Sequence, residues 1–286
     1  MLLAVFFVGN DFVAVKYALE GIPPLVLMPL RFVLAGLVVV GVVRVIERRG
    51  PLKWGDLLPI AGVGAVGITL NHIGYTVGLS LTSGSDAALI FATAPVWGMV
   101  LGILLRAERG SLRGALGLGL ALVGVGLVVY QGLGSPKASL AGNLLVCVSA
   151  FSWGAYAVLS LPLLKRYTPL ALAAYTMLLG GAAAFPFALT GVPGISDSVF
   201  DVDWSAVGVR SWAGAAYSTF LASAFAIAAW QGSVAQMGAN KVLVYLYLVT
   251  LVGVTSSVLL LDEGLGTAKV AGAVMILFGV YVVRRG

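Results

Sequence analysis

Long apolar runs recur about every 25 residues along the chain, and short polar segments separate them. Each run is close to the roughly 20 residues that an α-helix needs to cross the hydrocarbon core of a bilayer. Pro24 and Pro169 support two of the helix starts, because the first turn of a helix tolerates the missing amide hydrogen of proline. The pattern predicts ten helices, at residues 2–19, 24–43, 58–80, 85–105, 112–131, 140–161, 169–190, 212–238, 241–261 and 267–283.

The second half of this pattern repeats the first. A shift of 155 positions superposes Leu104 on Leu259, Glu108 on Glu263, Gly117 on Gly272 and Gly124 on Gly279. A shift of 145 positions superposes Gly9 on Gly154, Val13 on Val158, Pro24 on Pro169 and Gly36 on Gly181. Because five helices is an odd number, the second half enters the membrane from the opposite side. The sequence predicts two inverted five-helix repeats, at 1–131 and 140–286, joined by a linker at 132–139, as in many secondary transporters.

The amino-acid composition indicates whether these helices lie in water or in a membrane. Hydrophobic residues make up 60% of the chain, charged residues only 10%, and the mean hydropathy is +1.05. A soluble domain carries roughly a quarter charged residues, so we expect an all-α polytopic membrane protein. The first run has no basic flank and no small-residue cleavage pattern, so we expect it to remain as a span. The single cysteine, Cys147, excludes a disulfide framework or a thiolate metal site.

The formal charge of +6 does not form a stripe that would suit nucleic acid. The basic residues lie between apolar runs, where an excess of lysine and arginine marks the cytoplasmic side. With the N-terminus inside, twelve of them are cytoplasmic: Arg44, Arg48, Arg49, Lys53, Arg106, Arg109, Arg113, Lys165, Arg166, Lys241, Arg284 and Arg285. Only Lys137, Arg210 and Lys269 lie on the other side. We expect a bacterial inner-membrane protein with both termini in the cytoplasm.

Several segments resemble one transporter family. AERGSLRGALGLGLALVGVGLVV and LDEGLGTAKVAGAVMILFGVYVV resemble the E, G and LxGV pattern that closes each half of the EamA-type drug/metabolite transporters. GNDFVAVKYALEGIPPLVLMPLRFVLAG resembles their first two helices, and FSWGAYAV the start of their second half. The resemblance covers nearly the whole chain and implies export of amino acids or other small metabolites. The family often has Trp-Gly-Ser-Asn-Phe or similar in helix one, where this chain has Val8, Gly9, Asn10, Asp11 and Phe12.

Charged residues inside these helices need a reason, since a charge at the centre of a span costs about 3 kcal/mol on insertion scales. Asp11 has two interpretations: it binds a proton or a substrate amine in a central cavity, or it is buried against a helix dipole, a tyrosine or an arginine. Any proton coupling rests on this residue alone. For Arg31 we favour a structural ion pair with Asp86 or Glu20 over a substrate carboxylate. Lys16 lies near the outer boundary and can extend to it.

A substrate with an amine and a carboxylate needs polar partners, and we expect Asn10, Asp11, Asn71 and His72 to provide them. His72 is the only histidine, and the usual cysteine or carboxylate ligands are missing around it, so no zinc site is expected. The alternative for Asn71 and His72 is a hydrogen bond that ties two helices together.

Aromatic residues suggest the path of the substrate. The shift of 155 positions superposes Tyr75 on Trp230. We hypothesise that these two residues are the outer and inner parts of one aromatic-lined pathway. The residues expected around its middle are Trp153, Tyr156, Tyr217 and Tyr245. The alternative is that these residues belong to the interfacial belts of the membrane.

These features favour a secondary transporter that exports a small molecule by alternating access, without cofactor, metal or nucleic acid. No GxxxxGK[ST] loop is present, so nucleotide hydrolysis by this chain is not expected. A broad drug/metabolite effluxer or a sugar-phosphate carrier is the main competitor, and a channel or an intramembrane enzyme fits less well. His72 corresponds to Ile227, and Asp11 to Tyr156, so we expect specificity to lie where the repeat symmetry is lost.

Overall fold

The computed structural model describes residues 1–47, 52–105, 112–132, 139–243 and 245–284. Within these residues the chain is helical, and its only β-type pairing is an isolated bridge between Val192 and Ser196. The α-helices are α1 (Leu2–Ala18), α2 (Pro24–Ile46), α3 (Leu57–Gly64), α4 (Asn71–Leu81), α5 (Gly84–Phe91), α6 (Ala94–Leu104), α7 (Leu112–Gly132), α8 (Leu140–Leu164), α9 (Pro169–Thr190), α10 (Val209–Ala216), α11 (Ala226–Met237), α12 (Ala239–Leu243), α13 (Leu246–Leu261) and α14 (Thr267–Arg284). The all-helical fold class is confirmed.

Seven helical segments in the described ranges are long and apolar enough to cross a membrane. They are Pro24–Ile46, Trp54–Leu81, Gly84–Leu104, Leu140–Leu164, Pro169–Thr190, Val209–Met237 and Lys241–Leu261. Helix α1 has 17 residues, and shorter apolar helices cover Gly119–Tyr130 and Thr267–Gly279. Several starts are capped as the local sequence favours: the Ser139 and Thr168 hydroxyls accept hydrogen bonds from backbone amides of the first turn.

Four predicted helices are not single regular α-helices, and one of them, 241–261, is interrupted by a turn at Tyr245 before α13. The predicted helix 85–105 is divided into α5 and α6 at Ala92 and Thr93, and Pro95 lies in the first turn of α6, where its missing amide hydrogen is tolerated. The predicted helix 58–80 contains a π-helical segment, Ala65–Leu70, between α3 and α4. The predicted helix 212–238 contains another, Tyr217–Phe225, between α10 and α11.

Glycines bring helix pairs from the two halves into close, antiparallel contact. Helix α2 packs on α9, where a Cβ on Gly36 would meet Leu178 at 2.7 Å and a Cβ on Gly181 would meet the Val33 amide at 3.0 Å. Helix α7 packs on α14 with Gly124 against the Gly272 carbonyl. Such small residues let helix backbones approach closely inside a membrane.

Two further contacts place helix α1 against α13 and helix α8 against α6. A Cβ on Gly9 would lie 3.0 Å from the Val249 carbonyl, and a Cβ on Gly154 would lie 2.5 Å from the Ala94 carbonyl. Alanine at either glycine would therefore force the two backbones apart. These pairs hold α1 and α8 in place beside the centre of the bundle.

Some sequence predictions fall on positions outside the described residues. Glu108 is one of them, and most of the predicted linker at 132–139 lies there as well. The basic residues used for the orientation that also lie there are Arg48, Arg49, Arg106, Arg109, Lys137 and Arg285.

Candidate functional site

A small cavity lies at the centre of the helices and is called the central cavity below. Helices α1, α2, α4, α5, α8 and α11 line it together with the π-helical segment Tyr217–Phe225. Its volume is about 30 Å³, which is enough for one or two water molecules but not for a metabolite. The lining residues are Val8, Asp11, Phe12, Arg31, Asn71, His72, Tyr75, Phe91, Trp153, Ala222 and Ile227.

An ion pair between Asp11 and Arg31 forms the charged wall of the central cavity. The Arg31 Nη2 to Asp11 Oδ2 distance is 2.8 Å, and the two side chains are only 2% and 4% exposed. This contact corrects the expectation that Arg31 pairs with Asp86 or Glu20. Asp11 lies seven residues before the end of α1, and Arg31 seven residues after the start of α2, so the two reach the same depth in antiparallel helices. Asp86 instead lies 2.9 Å from Lys269, and Glu20 lies 3.5 Å from Arg210.

The π-helical segment Tyr217–Phe225 adds two serines to this ion pair. Ser218 donates a hydrogen bond from its hydroxyl to Asp11 Oδ1, and Arg31 Nε donates one to Ser223 Oγ at 2.6 Å. Ser223 in turn donates to the Ser218 carbonyl, five residues earlier, at 2.8 Å. A spacing of five residues is that of a π-helix, and π-bulges are frequent at functional sites. The irregular backbone therefore places both hydroxyls on the charged pair.

Helix α4 supplies the polar residues Asn71 and His72. The Asn71 amide nitrogen donates to the Ser149 carbonyl at 2.7 Å, which ties α4 to α8. The His72 ring lies 4.2 Å from the Phe32 ring and 6.2 Å from the Trp153 ring, measured between centroids. Among the described residues, Asn71 Oδ1 and both ring nitrogens of His72 have no hydrogen-bond partner.

Two more cavity atoms share this property. Arg31 Nη1 and Trp153 Nε1 are buried and find no hydrogen-bond partner within the described ranges. Most buried polar atoms in proteins are hydrogen-bonded, because leaving one unpaired costs about 1 to 3 kcal/mol. Four residues lining one cavity thus carry polar atoms that lack a partner in the part of the chain that the structure describes, and these atoms are able to bind a polar ligand.

Aromatic rings form the rest of the wall. The Tyr75 ring lies 5.4 Å from Phe12 and 6.4 Å from Phe91, and Phe91 lies 6.3 Å from Trp153. Trp230 packs on Trp153 from behind the cavity at 5.5 Å. The predicted aromatic residues Tyr75, Trp153 and Trp230 therefore belong to one continuous cluster. The sequence pattern missed the phenylalanines, because an apolar ring gives no signal that separates cavity lining from packing.

Tyr156 lies beside Trp153, with ring centroids 5.5 Å apart, but does not line the central cavity. Its hydroxyl lies 2.9 Å from Thr176 Oγ1, which donates to the Leu172 carbonyl at 2.8 Å, so Tyr156 acts as the donor to Thr176. Both residues are fully buried. The ring covers Gly67 of the π-helical segment Ala65–Leu70 so closely that a Cβ there would lie 2.0 Å from Tyr156 Cδ2.

Three residues predicted for the site lie away from the central cavity. Asn10 faces α13 and accepts a hydrogen bond from the Ser256 hydroxyl at 2.7 Å. Tyr217 donates to the Phe7 carbonyl at 3.3 Å, and Tyr245 packs at the start of α13. Asn10 and Tyr217 are turned from the cavity by the rotation of their helices, and Tyr245 lies in the turn before α13.

Polar contacts hold the helices together at both ends of the bundle. At one end, Lys16 donates to the Thr82 carbonyl and Glu263 accepts from the backbone amides of Gly84 and Ser85, at 2.5, 2.7 and 2.8 Å. At the other end, Arg166 Nη1 lies 2.7 Å from Asp56 Oδ1. Tyr167 donates to the same carboxylate at 2.9 Å; burial raises the pKa of Tyr167, and this hydrogen bond raises it further.

The lining of the central cavity contains two side chains of the kinds that ligate metal ions, Asp11 and His72. The described residues include no group of three histidine, cysteine or carboxylate side chains that could hold an ion. The central cavity offers one carboxylate, and Arg31 already neutralises it.

Comparison with known proteins gives a consistent result. The chain matches the EamA-like transporter family twice, over residues 1–130 and 140–285. It is 27% identical over 285 residues to an uncharacterized transporter of Archaeoglobus fulgidus, covering 99% of this chain and 96% of the relative. It is 26% identical to a probable amino-acid metabolite efflux pump of Salmonella typhimurium, covering 98% and 92%. A crystal structure at 17% identity has the same fold, with a TM-score of 0.67 and coverage of 99% and 96%.

Proposed function

The chain belongs to the EamA-like transporter family, and we propose that it exports amino acids or related small metabolites through the central cavity by alternating access. One observation carries this proposal: Arg31, Asn71, His72 and Trp153, which have buried polar atoms with no hydrogen-bond partner among the described residues, surround one cavity at the centre of the helices. The Salmonella relative, named as a probable amino-acid metabolite efflux pump, suggests the substrate class.

We also propose that the two halves are inverted repeats of five transmembrane helices each, 1–131 and 140–286, joined at 132–139. The glycine contacts support this. Gly9 meets Val249 as Gly154 meets Ala94, and the partners are related by the same shifts of 145 and 155 positions that relate the sequences. Both π-helical segments also correspond, since the shift of 155 carries 65–70 onto 220–225.

Alternating access gives the contacts at the two ends of the bundle a role. The central cavity is too small for a metabolite, and polar contacts tie the helices on both sides of it. Entry of substrate from one side requires that the contacts of that side separate while those of the opposite side hold. Two halves related by an inverted repeat can do so if each half adopts the conformation of the other in turn.

Within this proposal Asp11, Arg31, Asn71 and His72 bind the polar groups of the substrate. Tyr75 and the Trp153 ring contact its apolar part, and Trp153 Nε1 is a further donor to its polar groups. A sugar-phosphate carrier is disfavoured, because a phosphate needs more positive charge than the cavity has. Arg31 is the only cation among the cavity residues, and Asp11 already neutralises it.

Flux measurements in proteoliposomes test the function. The purified chain is expected to exchange labelled amino acids from a broad panel with saturable kinetics and counterflow. The controls are protein-free liposomes and liposomes that contain the chain together with an excess of unlabelled substrate. Absence of saturable flux for every member of the panel would refute amino acid transport, and flux without saturation or counterflow would indicate a channel.

Membrane orientation and coupling are separate proposals. We propose that both termini are cytoplasmic and that the loop before Val209 lies outside the cell. Because Cys147 is the only cysteine, the Cys147→Ser chain can carry one new cysteine at a time. A membrane-impermeant thiol reagent should label Ser205→Cys in intact cells but not Lys165→Cys, and the reverse result would invert the topology.

Proton coupling through Asp11 predicts that Asp11→Asn abolishes uptake driven by a pH gradient.

A further inference from the structure

The charged wall of the central cavity indicates which substrates it accepts. Asp11 and Arg31 are buried, oppositely charged and 2.8 Å apart. Each ion loses its hydration on burial, and mutual attraction repays this only when all hydrogen-bonding groups are satisfied. The pair is not fully satisfied, since Arg31 Nη1 has no hydrogen-bond partner among the described residues.

Charge neutrality restricts what can bind beside this pair. The lining of the central cavity carries one positive and one negative group, so its net charge is zero with His72 neutral. A ligand with both a carboxylate and an ammonium group keeps every charge compensated when the pair separates. A ligand with only one of these groups leaves an uncompensated buried charge, which is strongly unfavourable.

We propose that Asp11 and Arg31 pair with each other only in the empty site, and that they separate to bind the ammonium and carboxylate groups of a zwitterionic substrate. This inference rests on the proposed transport function and specifies its substrate class. Asp11 and Arg31 can pair with each other and can also separate, because Asp11 lies on α1 and Arg31 lies on α2. Separation of the charged groups also enlarges a cavity that is otherwise too small for an amino acid.

The neighbouring residues fit the ends of such a substrate. Arg31 Nη1 is a free donor for a carboxylate oxygen, and Trp153 Nε1 is a second one, as neither atom has a hydrogen-bond partner in the described ranges. Asn71 Oδ1 is an unpartnered acceptor on the same cavity, within the part of the chain that is described. Apart from His72 and Tyr75 the remaining lining is apolar, with Phe91 and Ile227 among its residues, so the substrate side chain should be apolar.

The proposal is tested with three probes that share one skeleton. L-phenylalanine has both charges, phenethylamine has only the ammonium group, and 3-phenylpropanoate has only the carboxylate. Binding to the purified full chain in detergent is measured by calorimetry. We expect the wild-type chain to bind phenylalanine at least about tenfold more tightly than either analogue, because each analogue leaves one buried charge without a counterion.

Two single variants should change this preference in opposite directions. In Asp11→Asn the positive charge of Arg31 is uncompensated, so binding of 3-phenylpropanoate should strengthen relative to phenylalanine by about tenfold or more. In Arg31→Gln the same change should favour phenethylamine. The double variant Asp11→Asn/Arg31→Gln leaves no uncompensated charge and should lose the preference for the zwitterion, which provides a test if a single variant fails to fold.

The Asp86–Lys269 pair provides the matched control. It is also buried, with a 2.9 Å separation, but it lies outside the central cavity, so Asp86→Asn should leave the ratios among the three probes unchanged. Equal affinities of the wild-type chain for the three probes, no affinity for any of them, or a uniform loss for all three in both single variants would overturn the inference. The proposed transport function falls only if the full amino acid panel gives no flux.

Discussion

Two pairs of polar residues occupy matching positions in the two halves of this protein. Asp11 and Arg31 link α1 to α2, and a shift of 145 positions carries them onto Tyr156 and Thr176, which link α8 to α9. The first pair is charged, lines the central cavity and leaves Arg31 Nη1 without a hydrogen-bond partner among the described residues. The second pair is neutral and passes its hydrogen bond on to the Leu172 carbonyl. Under the proposed function, the first pair binds substrate and the second pair has a structural role.

The residues packed beside the two pairs also differ. Ala222 lies beside the cavity with Asp11, whereas Gly67, its counterpart under the shift of 155 positions, lies directly under the Tyr156 ring. The small Asp11 side chain leaves room for an alanine and a cavity, and the large Tyr156 ring fills the corresponding space. The two positions therefore differ in whether the side chain leaves space beside it or fills that space.

The largest effect is expected from breaking the charged pair. Asp11→Asn leaves the Arg31 charge buried without a counterion, which should destabilise the protein by about 3 kcal/mol or more and abolish amino acid flux. Thermal unfolding in detergent and proteoliposome flux measure the two effects. Adding Arg31→Gln should recover part of the stability but no transport, and wild-type stability of the single variant would contradict the account.

The second-largest effect is expected from adding a side chain beside the neutral Tyr156–Thr176 pair. A Cβ at Gly67 would lie 2.0 Å from the Tyr156 ring, so Gly67→Ala should lower stability by about 1 to 3 kcal/mol. The unfolding temperature of the purified chain reports this. Ala222→Gly is the matched change at the charged pair and should be tolerated better; equal losses in the two variants would mean that the two surroundings are equivalent.

A smaller effect is expected where the substrate contacts an aromatic residue. Trp153→Phe keeps a ring in the cluster but removes the Nε1 donor, so substrate affinity should fall by about fivefold, which corresponds to one hydrogen bond of about 1 kcal/mol. Calorimetric titration of phenylalanine measures it. Unchanged flux and affinity in this variant and in Trp153→Ala, at normal expression, would remove Trp153 from the pathway.

The smallest effect should follow from breaking the neutral pair. Tyr156→Phe removes one hydrogen bond to Thr176 and retains the packing of the ring, so it should cost about 1 kcal/mol of stability. Flux and substrate preference should stay close to those of the wild type. A change in preference comparable to that of Asp11→Asn would show that both pairs bind substrate.

Helices and central polar residues could be predicted from the sequence because both follow from the low polarity of the membrane. Apolar runs mark spans, and a buried Asp11, Asn71 or His72 needs a partner or a ligand. The partner of Arg31 was predicted wrongly, although its equal depth to Asp11 on neighbouring antiparallel helices was a usable signal.

Other features have no signal in the pattern. Ser218 and Ser223 reach the ion pair only because the backbone between them is π-helical, and a period of 3.6 residues does not anticipate this. The rotation of a helix decides whether Asn10 or Asp11 faces the cavity, and a helix with apolar residues on every side does not encode that rotation. The correspondence of Tyr156 and Thr176 with Asp11 and Arg31 can be recognised only once the contacts of Asp11 are known.

The most direct test is an experimental structure of the chain with phenylalanine or another transported amino acid bound. We predict that the substrate carboxylate contacts Arg31, that its ammonium group contacts Asp11, and that the 2.8 Å contact between these side chains is broken. An amino acid bound elsewhere, or bound beside an intact Asp11–Arg31 pair, would contradict this prediction.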